Sequence, residues 1–374
     1  MALLDTVDPQ GLEEFSVVFT DRSLNHMSAK FQHVMRDISG MLKEVYGASA
    51  VALVPGGGTY GMEAVARQFG RDAHALIVRN GWFSYRWSQI FDAGQFTAQT
   101  TVFKARQEGN GTQAPFAPAP IEDVTSAIRE AKPDVVFAPH VETSAGLILP
   151  DDYITALAEA AHEVGALMVL DCIASGCVWV DMGATGVDVL ISAPQKGWSA
   201  SPSAGLVMLS DRAMARLDAT TSDSFALDLK KWRQIMEVYE NGGHAYHATM
   251  PTDALTAFRD TMLETREYGF ERLRVAQWEL GNGVREMLKA RGVKSVAAEG
   301  FGSPGVVVSY TQDAEVQSGR AFGAKGVQIA AGVPLQCDEP EGFQTFRLGL
   351  FGLDKLYDVP ATLARVEKAL DGVV

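Results

Sequence analysis

Residues 167–210 read LMVLDCIASGCVWVDMGATGVDVLISAPQKGWSASPSAGLVMLS, and the fold is decided by how this stretch is read. It holds three short apolar runs, Leu167–Leu170, Val187–Ser192 and Ala204–Leu209. Their length and composition are those of buried strands. Asp171 follows the first run directly, and Lys196 follows the second by four residues, in a loop rich in Ser, Gly and Pro. In open α/β sheets a ligand sits just beyond the carboxyl ends of the strands. Asp171 and Lys196 therefore stand where a ligand would be met.

One carboxylate and one lysine at two such ends are what pyridoxal phosphate (PLP) requires: an amine for a Schiff base and an anion for the pyridinium nitrogen. A buried Asp or Lys is otherwise expensive unless paired. From these two residues alone a plainer reading also stands, with Asp171 capping the next helix and Lys196 on the surface.

The rest of the chain extends the same pattern. Phe31, Val34, Ile38, Met41, Leu42 and Val45 fall at helical spacing over Phe31–Tyr46, and Gly47 stops the helix. Val51–Val54, Ala75–Val78, Phe96–Phe103 and Val135–Ala138 are further strand candidates, separated by helical stretches that include Tyr153–Val164. The Gly/Pro content of Glu108–Pro120 predicts an exposed loop. About seven strands, most alternating with helices, predict an α/β protein with a doubly wound, mostly parallel sheet. Ala204–Leu209 follows its predecessor by only about a dozen loop residues, too few for a helical crossover, which favours an antiparallel course. After Pro251 the texture changes to one long helical stretch, about Thr256 to Arg291, then GVVVSY and FRLGLFG as strands and a last helix from about Pro360. The expected organisation is a large domain over 26–255 and a smaller α+β domain over 256–374, joined by 1–25.

Composition narrows the class. The chain has 374 residues, 47% of them apolar, and a formal charge of −14 without a Lys/Arg run, which argues against nucleic-acid and anionic-membrane partners. The opening MALLDTVDPQGLEE carries acids and no basic region, unlike a signal peptide, and no apolar run reaches the roughly 20 residues of a membrane span. Cys172, Cys177 and Cys337 form neither a CxxC pair nor an even framework. A cytoplasmic protein is expected.

Several motifs bear on chemistry. Gly56-Gly57-Gly58-Thr59-Tyr60-Gly61 matches GxGxxG between a strand and a helix. A dinucleotide fold would place an acid near the end of the second strand, where Asn80-Gly81 stands. What survives is a phosphate turn: backbone N–H groups freed by glycines, beside a helix N-terminus. Phe83, in a loop after a strand end and among Trp82, Tyr85 and Trp87, offers a face to a flat ring, although such clusters also form core. His140 and Glu142 lack a third partner at metal-like spacing. Arg347 offers either a bidentate fork for a carboxylate or a surface ion pair.

From about Asn25 to Gly352 these pieces occur in an order that resembles the class V, fold-type I PLP aminotransferases, nearest to the alanine–glyoxylate and serine–pyruvate aminotransferases. NHMSAKF resembles that family's GHRSPEF, PGGGTYGMEA its SGSGTxAMEA, and NGWFSYR its NGxWGxR. PHVETSAG resembles HxESSTG, LDCIAS resembles VDxVSS, SAPQKGW resembles SxxQK, and FRLGLFG resembles FRIGHMG; SFALDLKKW and YHATMPTDAL match segments between. The resemblance implies the PLP-transferase fold, with seven strands in the large domain, and PLP as cofactor. It implies Lys196 as the Schiff-base lysine that also shuttles the proton, and Asp171 as partner of the pyridine nitrogen. Phe83 would stack on the ring, with Gln195, Ile173 and Thr143 lining it. Gly57, Gly58 and Thr59 would hold the phosphate, joined by Tyr246 and Thr249 of a neighbouring subunit, hence a homodimer. Arg347 would bind the α-carboxylate.

The implied reaction moves an amino group from a small amino acid, such as alanine or serine, to a 2-oxo acid such as glyoxylate or pyruvate, by a ping-pong course. Alternatives on the same fold are a 2-aminoethylphosphonate-type transaminase and a lyase or desulfurase. The desulfurase pattern wants His before the lysine and a Cys in a small-residue loop, against Gln195 and the LQCDEP around Cys337. Met27 stands in place of the family's Arg, Leu350 in place of its His, and SVVFTDRSL in the region of its PGPT segment, departures that bear on substrate choice.

Overall fold

The computed structural model describes residues 7–17 and 19–374. Seven strands form the central sheet: β1 (Ala50–Pro55), β2 (His74–Arg79), β3 (Gln99–Lys104), β4 (Val135–Pro139), β5 (Leu167–Asp171), β6 (Val189–Ser192) and β7 (Ala204–Leu209). Their order across the sheet is β1-β7-β6-β5-β4-β2-β3. Strand β7 runs antiparallel to both β1 and β6, and the other neighbours pair in parallel. Strands β4, β5, β6 and β7 are buried along their whole length. That burial from both faces is why they read as unbroken apolar runs, and each fully buried Val, Leu or Ile contributes about 1.5–3 kcal/mol.

Helix α1 (Ala29–Tyr46) begins where the Ser28 hydroxyl accepts the Phe31 N–H and ends at Gly47, φ 66°. Helices α2 (Gly58–Phe69) and α3 (Trp82–Gly94) follow β1 and β2, while α4 (Ile121–Ala131) and α5 (Asp151–Glu163) cover the neighbouring strands. Helix α6 is Asp211–Ala219, α7 Leu229–Glu240, α8 Thr252–Tyr268, α9 Phe270–Ala290 and α10 Val359–Leu370. A second, three-stranded antiparallel sheet is built from β8 (Val306–Tyr310), β9 (Ala330–Ala331) and β10 (Thr345–Gly349), in the order β8-β10-β9.

Four local readings change. The helical stretch from 256 to 291 is two helices, because Gly269 at φ 106° turns the chain between them. Phe83 lies in the first turn of α3 rather than in a loop. The strand expected from Phe96 starts at Gln99. The 108–120 segment is exposed only in its first half: Phe116 and Ala117 pair with Gln107 and Arg106, and Phe116 is buried.

The apolar core around the large sheet includes Leu24, Phe258 and Met262 and takes up Val7, while Leu273, Leu280 and Val284 of α9 pack with the small sheet. We therefore propose Gly269, not residue 255, as the boundary between the larger and smaller parts. Residues 1–6 lie outside the described residues. Among the described residues no helix is long and apolar enough to cross a membrane.

Candidate active site

The parallel strands aim their carboxyl ends at one cavity of about 470 Å³. Its lining includes Gly57, Gly58 and Thr59 after β1, Phe83 after β2, Thr143 after β4, Asp171 and Ile173 at the end of β5, and Gln195 and Lys196 after β6. The small sheet closes the opposite wall with Val306, Ala330, Arg347 and Gly349. Ten residues expected from the sequence to surround the cofactor and the substrate carboxylate thus meet in one place. Tyr246 and Thr249 do not: they lie outside this cavity, Tyr246 is 55% exposed, and their hydroxyls bond each other at 3.1 Å.

Close backbone approaches place these groups. Gly56 sits at φ 126°, and a Cβ there would meet the Tyr60 ring at 2.7 Å. Helix α2 then lies directly on β7, where a Cβ on Gly205 would be 2.6 Å from the Gly61 nitrogen. This brings the start of α2 to the cavity floor. No side chain caps that start, so its first N–H groups remain available to an anion. Lys196 is held similarly: Gly197 passes so close to Gly176 that a Cβ would lie 2.0 Å from the Gly176 carbonyl oxygen.

Asp171 is 8% exposed and accepts the Ile173 N–H at 2.9 Å. Burial raises its carboxyl to about 7, with Glu142 adding to the rise and Arg86 opposing it. Such a group is short of a cationic partner. Burial pushes the Lys196 amine below its ordinary value, and the Arg347 charge pushes it further. The ammonium stands 5.3 Å from the centre of the Phe351 ring. Arg347 spends its Nε on the Ala331 carbonyl at 2.8 Å, leaving its terminal nitrogens for the cavity. Its guanidinium lies 5.7 Å from the centre of the Phe83 ring.

His140 and Glu142 serve the scaffold. The His140 ring bonds the Ser175 hydroxyl at 2.7 Å, and burial lowers it to about 3. Glu142 accepts the N–H groups of Phe83, Ser84 and Ser144. Among the described residues no cluster of His, Cys, Asp and Glu is placed to hold a metal ion. Of the aromatics around Phe83, Trp87 is core, 4.4 Å from Phe137 between ring centres, and Tyr85 packs beneath Arg79. Cys337 is buried, donates to the Arg79 carbonyl at 3.4 Å and is pushed up to about 12.

The sequence reading missed Arg86, Tyr60, Val306, Ala330 and Phe351 in the lining. Arg86 had a signal, standing three residues after Phe83 on what proves to be the same helical face. Val306 and Ala330 come from a sheet whose docking no local pattern announces.

The class-V aminotransferase profile matches residues 12–304. The chain belongs to the class-V aminotransferases. It is 26% identical over 351 residues to the small subunit of a soluble hydrogenase from Synechococcus sp. (strain PCC 6716), covering 93% of this chain and 87% of that one. To alanine–glyoxylate aminotransferase 1 of Saccharomyces cerevisiae it is 25% identical over 286 residues, 71% of this chain and 69% of the relative. The crystal structure of alanine–glyoxylate aminotransferase from Nostoc sp. superposes with a TM-score of 0.78 at 21% identity, over 94% of this chain and 89% of that one. The fold is that of the fold-type I PLP enzymes, and the protein is a PLP-dependent transaminase by family.

The cavity fits the cofactor of that family. Among the described residues the Gln195 side-chain oxygen is buried without a partner and Asp171 forms no ion pair, while a Cβ on Gly57 would meet nothing within 4 Å, so the turn is open to a ligand there.

Proposed function

We propose that this cavity holds PLP and that the protein transfers the amino group of a small amino acid, such as alanine or serine, to a 2-oxo acid such as glyoxylate or pyruvate. The observation that carries the reading is the convergence of Lys196, Asp171 and Arg347 on one cavity from two different sheets. Gly57, Gly58 and Thr59 would hold the phosphate, Phe83 and Ile173 the ring, and Asp171 the ring nitrogen. When bound, PLP supplies an aldehyde for the amino group and a conjugated ring that accepts the electron pair released at Cα.

The protein's own groups supply the rest. Lys196, depressed by burial and by Arg347, is suited to take the Cα proton and return it as the paired acid. Arg347 would grip the α-carboxylate through its free terminal nitrogens and so orient Cα toward Lys196. Ligand sites span about 300–1,000 Å³, and a cavity of about 470 Å³ shared with a cofactor leaves room for a small side chain. Tyr60, Val306, Ala330 and Phe351 around it favour the same choice. The exposed hydroxyls of Tyr246 and Thr249 fit a homodimer in which each subunit completes the other's phosphate site.

A 2-aminoethylphosphonate-type donor is the second reading. The HVET of PHVETSAG and the QK of SAPQKGW favour it, because the aminoethylphosphonate transaminases share both motifs. A desulfurase is disfavoured, since the buried Cys337 thiol is outside the cavity lining and hydrogen-bonded away from it.

The test is the visible spectrum during titration with alanine, serine, aspartate and 2-aminoethylphosphonate. A yellow band that one donor bleaches and a 2-oxo acid restores supports transamination and names the donor. A yellow protein that no donor bleaches moves lyase chemistry ahead. A protein that stays colourless after PLP is added refutes the assignment of Lys196.

A further inference from the structure

The groups assigned to the phosphate from this chain, Gly57, Gly58 and Thr59, are uncharged, and so are Tyr246 and Thr249. A phosphate monoester carries about −1.5 to −2 charges near neutral pH. The expected cradle therefore supplies N–H and hydroxyl donors but no cation.

Arg86 stands beside it. It lies on α3 one turn beyond Phe83, and its Nη1 donates to Thr59 Oγ1 at 3.0 Å. Its guanidinium is 5.3 Å from the centre of the Phe83 ring, and it lines the same cavity. The nearest consequence of its charge is felt at Asp171, which it helps to ionise. Among the described residues no carboxylate forms an ion pair with Arg86, in a chain whose formal charge is −14. Thr59 is thus touched by two features that favour an anion: the uncapped first turn of α2 and an unneutralised guanidinium. A planar fork of N–H donors matches phosphate oxygens bidentately, and the helix start adds its aligned backbone N–H groups.

We propose that Arg86 is a direct ligand of the cofactor's phosphate, completing with Gly57–Thr59 a site that would otherwise hold the dianion without a counter-charge. The inference rests on the proposed PLP site.

The experiment compares PLP with pyridoxal, which lacks the phosphate. Cofactor-free wild type, Arg86→Gln and Arg86→Lys are titrated with each, following tryptophan fluorescence and the yellow band. For Arg86→Gln the Kd for PLP is expected to rise at least tenfold, with Arg86→Lys between, while the Kd for pyridoxal stays within twofold. The gap between the wild type and Arg86→Gln should narrow in high salt. An equal loss for PLP and pyridoxal overturns the proposal, since Arg86 would then only support Phe83 and α3. So does an unchanged PLP affinity accompanied by a higher KM for donors with a second acidic group, which would assign Arg86 to the substrate. Should Arg86→Gln fail to fold, Arg86→Lys carries the comparison alone. Wild type that binds neither compound refutes the PLP reading itself, a result distinct from wild-type binding that Arg86→Gln leaves intact.

Discussion

The Glu142 carboxylate accepts both the Ser84 hydroxyl, at 2.7 Å, and the Ser84 N–H, at 2.9 Å. Ser84 is in the first turn of α3, and the same carboxylate takes the Phe83 N–H at 3.1 Å and both donors of Ser144. A fully buried acid is thereby satisfied by five donors and the positive end of a helix, with no ion pair among the described residues. This fixes where α3 begins, and so where the Phe83 ring stands. Glu142→Ala would leave buried N–H groups unpaired, at a cost of about 3–5 kcal/mol. Urea unfolding of the cofactor-free protein should show that loss, and Glu142→Gln, which keeps an acceptor, should show less. A loss under about 1 kcal/mol would remove Glu142 from this role.

Asp171 makes the cofactor-free protein pH-dependent in a calculable direction. Its carboxyl is raised from 3.8 to about 7 by burial, so the folded state binds a proton that the unfolded state releases. Stability from this group is full below about pH 4 and fades as pH rises to about 7. About three pH units correspond to roughly 4 kcal/mol. Asp171→Asn, which cannot ionise, should be more stable than wild type at pH 8 and near parity at pH 4. Parallel unfolding free energies for the two proteins across that range would contradict the burial argument.

Much of this was legible in the chain. Runs such as Leu167–Leu170 have nowhere to go but a sheet covered on both faces, and the active-site groups follow from where those runs end. The break at Gly269 was less visible, because a single residue leaves the helical conformation there, at φ 106° and ψ 123°. In the sequence Phe83 reads as a loop residue because nothing local reports Glu142, 59 positions away, capping the helix that starts there. The buried half of the 108–120 segment was hidden for the same reason: Phe116 is covered by Phe343 and bonded to the Val296–Ala298 backbone, which lie far along the chain.

Gly197 tests how Lys196 is held. With its Cβ position 2.0 Å from the Gly176 carbonyl oxygen, Gly197→Ala must push two backbone segments apart. Neither atom is a flexible side-chain end, so a loss of about 3 kcal/mol or more is expected. Lys196→Ala, in contrast, should fold with nearly wild-type stability and lose the yellow band on adding PLP. If Gly197→Ala kept full stability and cofactor binding, the close approach at Gly176 would not govern the lysine loop.

Arg347 acts twice, and two substitutions separate its roles. As a fork it should contribute about 1.5–3 kcal/mol to holding a carboxylate, so Arg347→Ala and Arg347→Lys should each raise KM for donor and acceptor by roughly 10- to 150-fold. As a charge it helps hold the Lys196 amine below its ordinary value. Removing it lets that value climb, so more of the amine is protonated at a given pH. In Arg347→Ala the rate at which the cofactor-free protein reacts with pyridoxal should therefore need a higher pH to reach its plateau. In Arg347→Lys, which keeps the charge, that limb should stay close to wild type while KM rises. If both variants shift the limb equally, or neither does, Arg347 exerts no electrostatic control over Lys196 and its part in the site is reduced to binding.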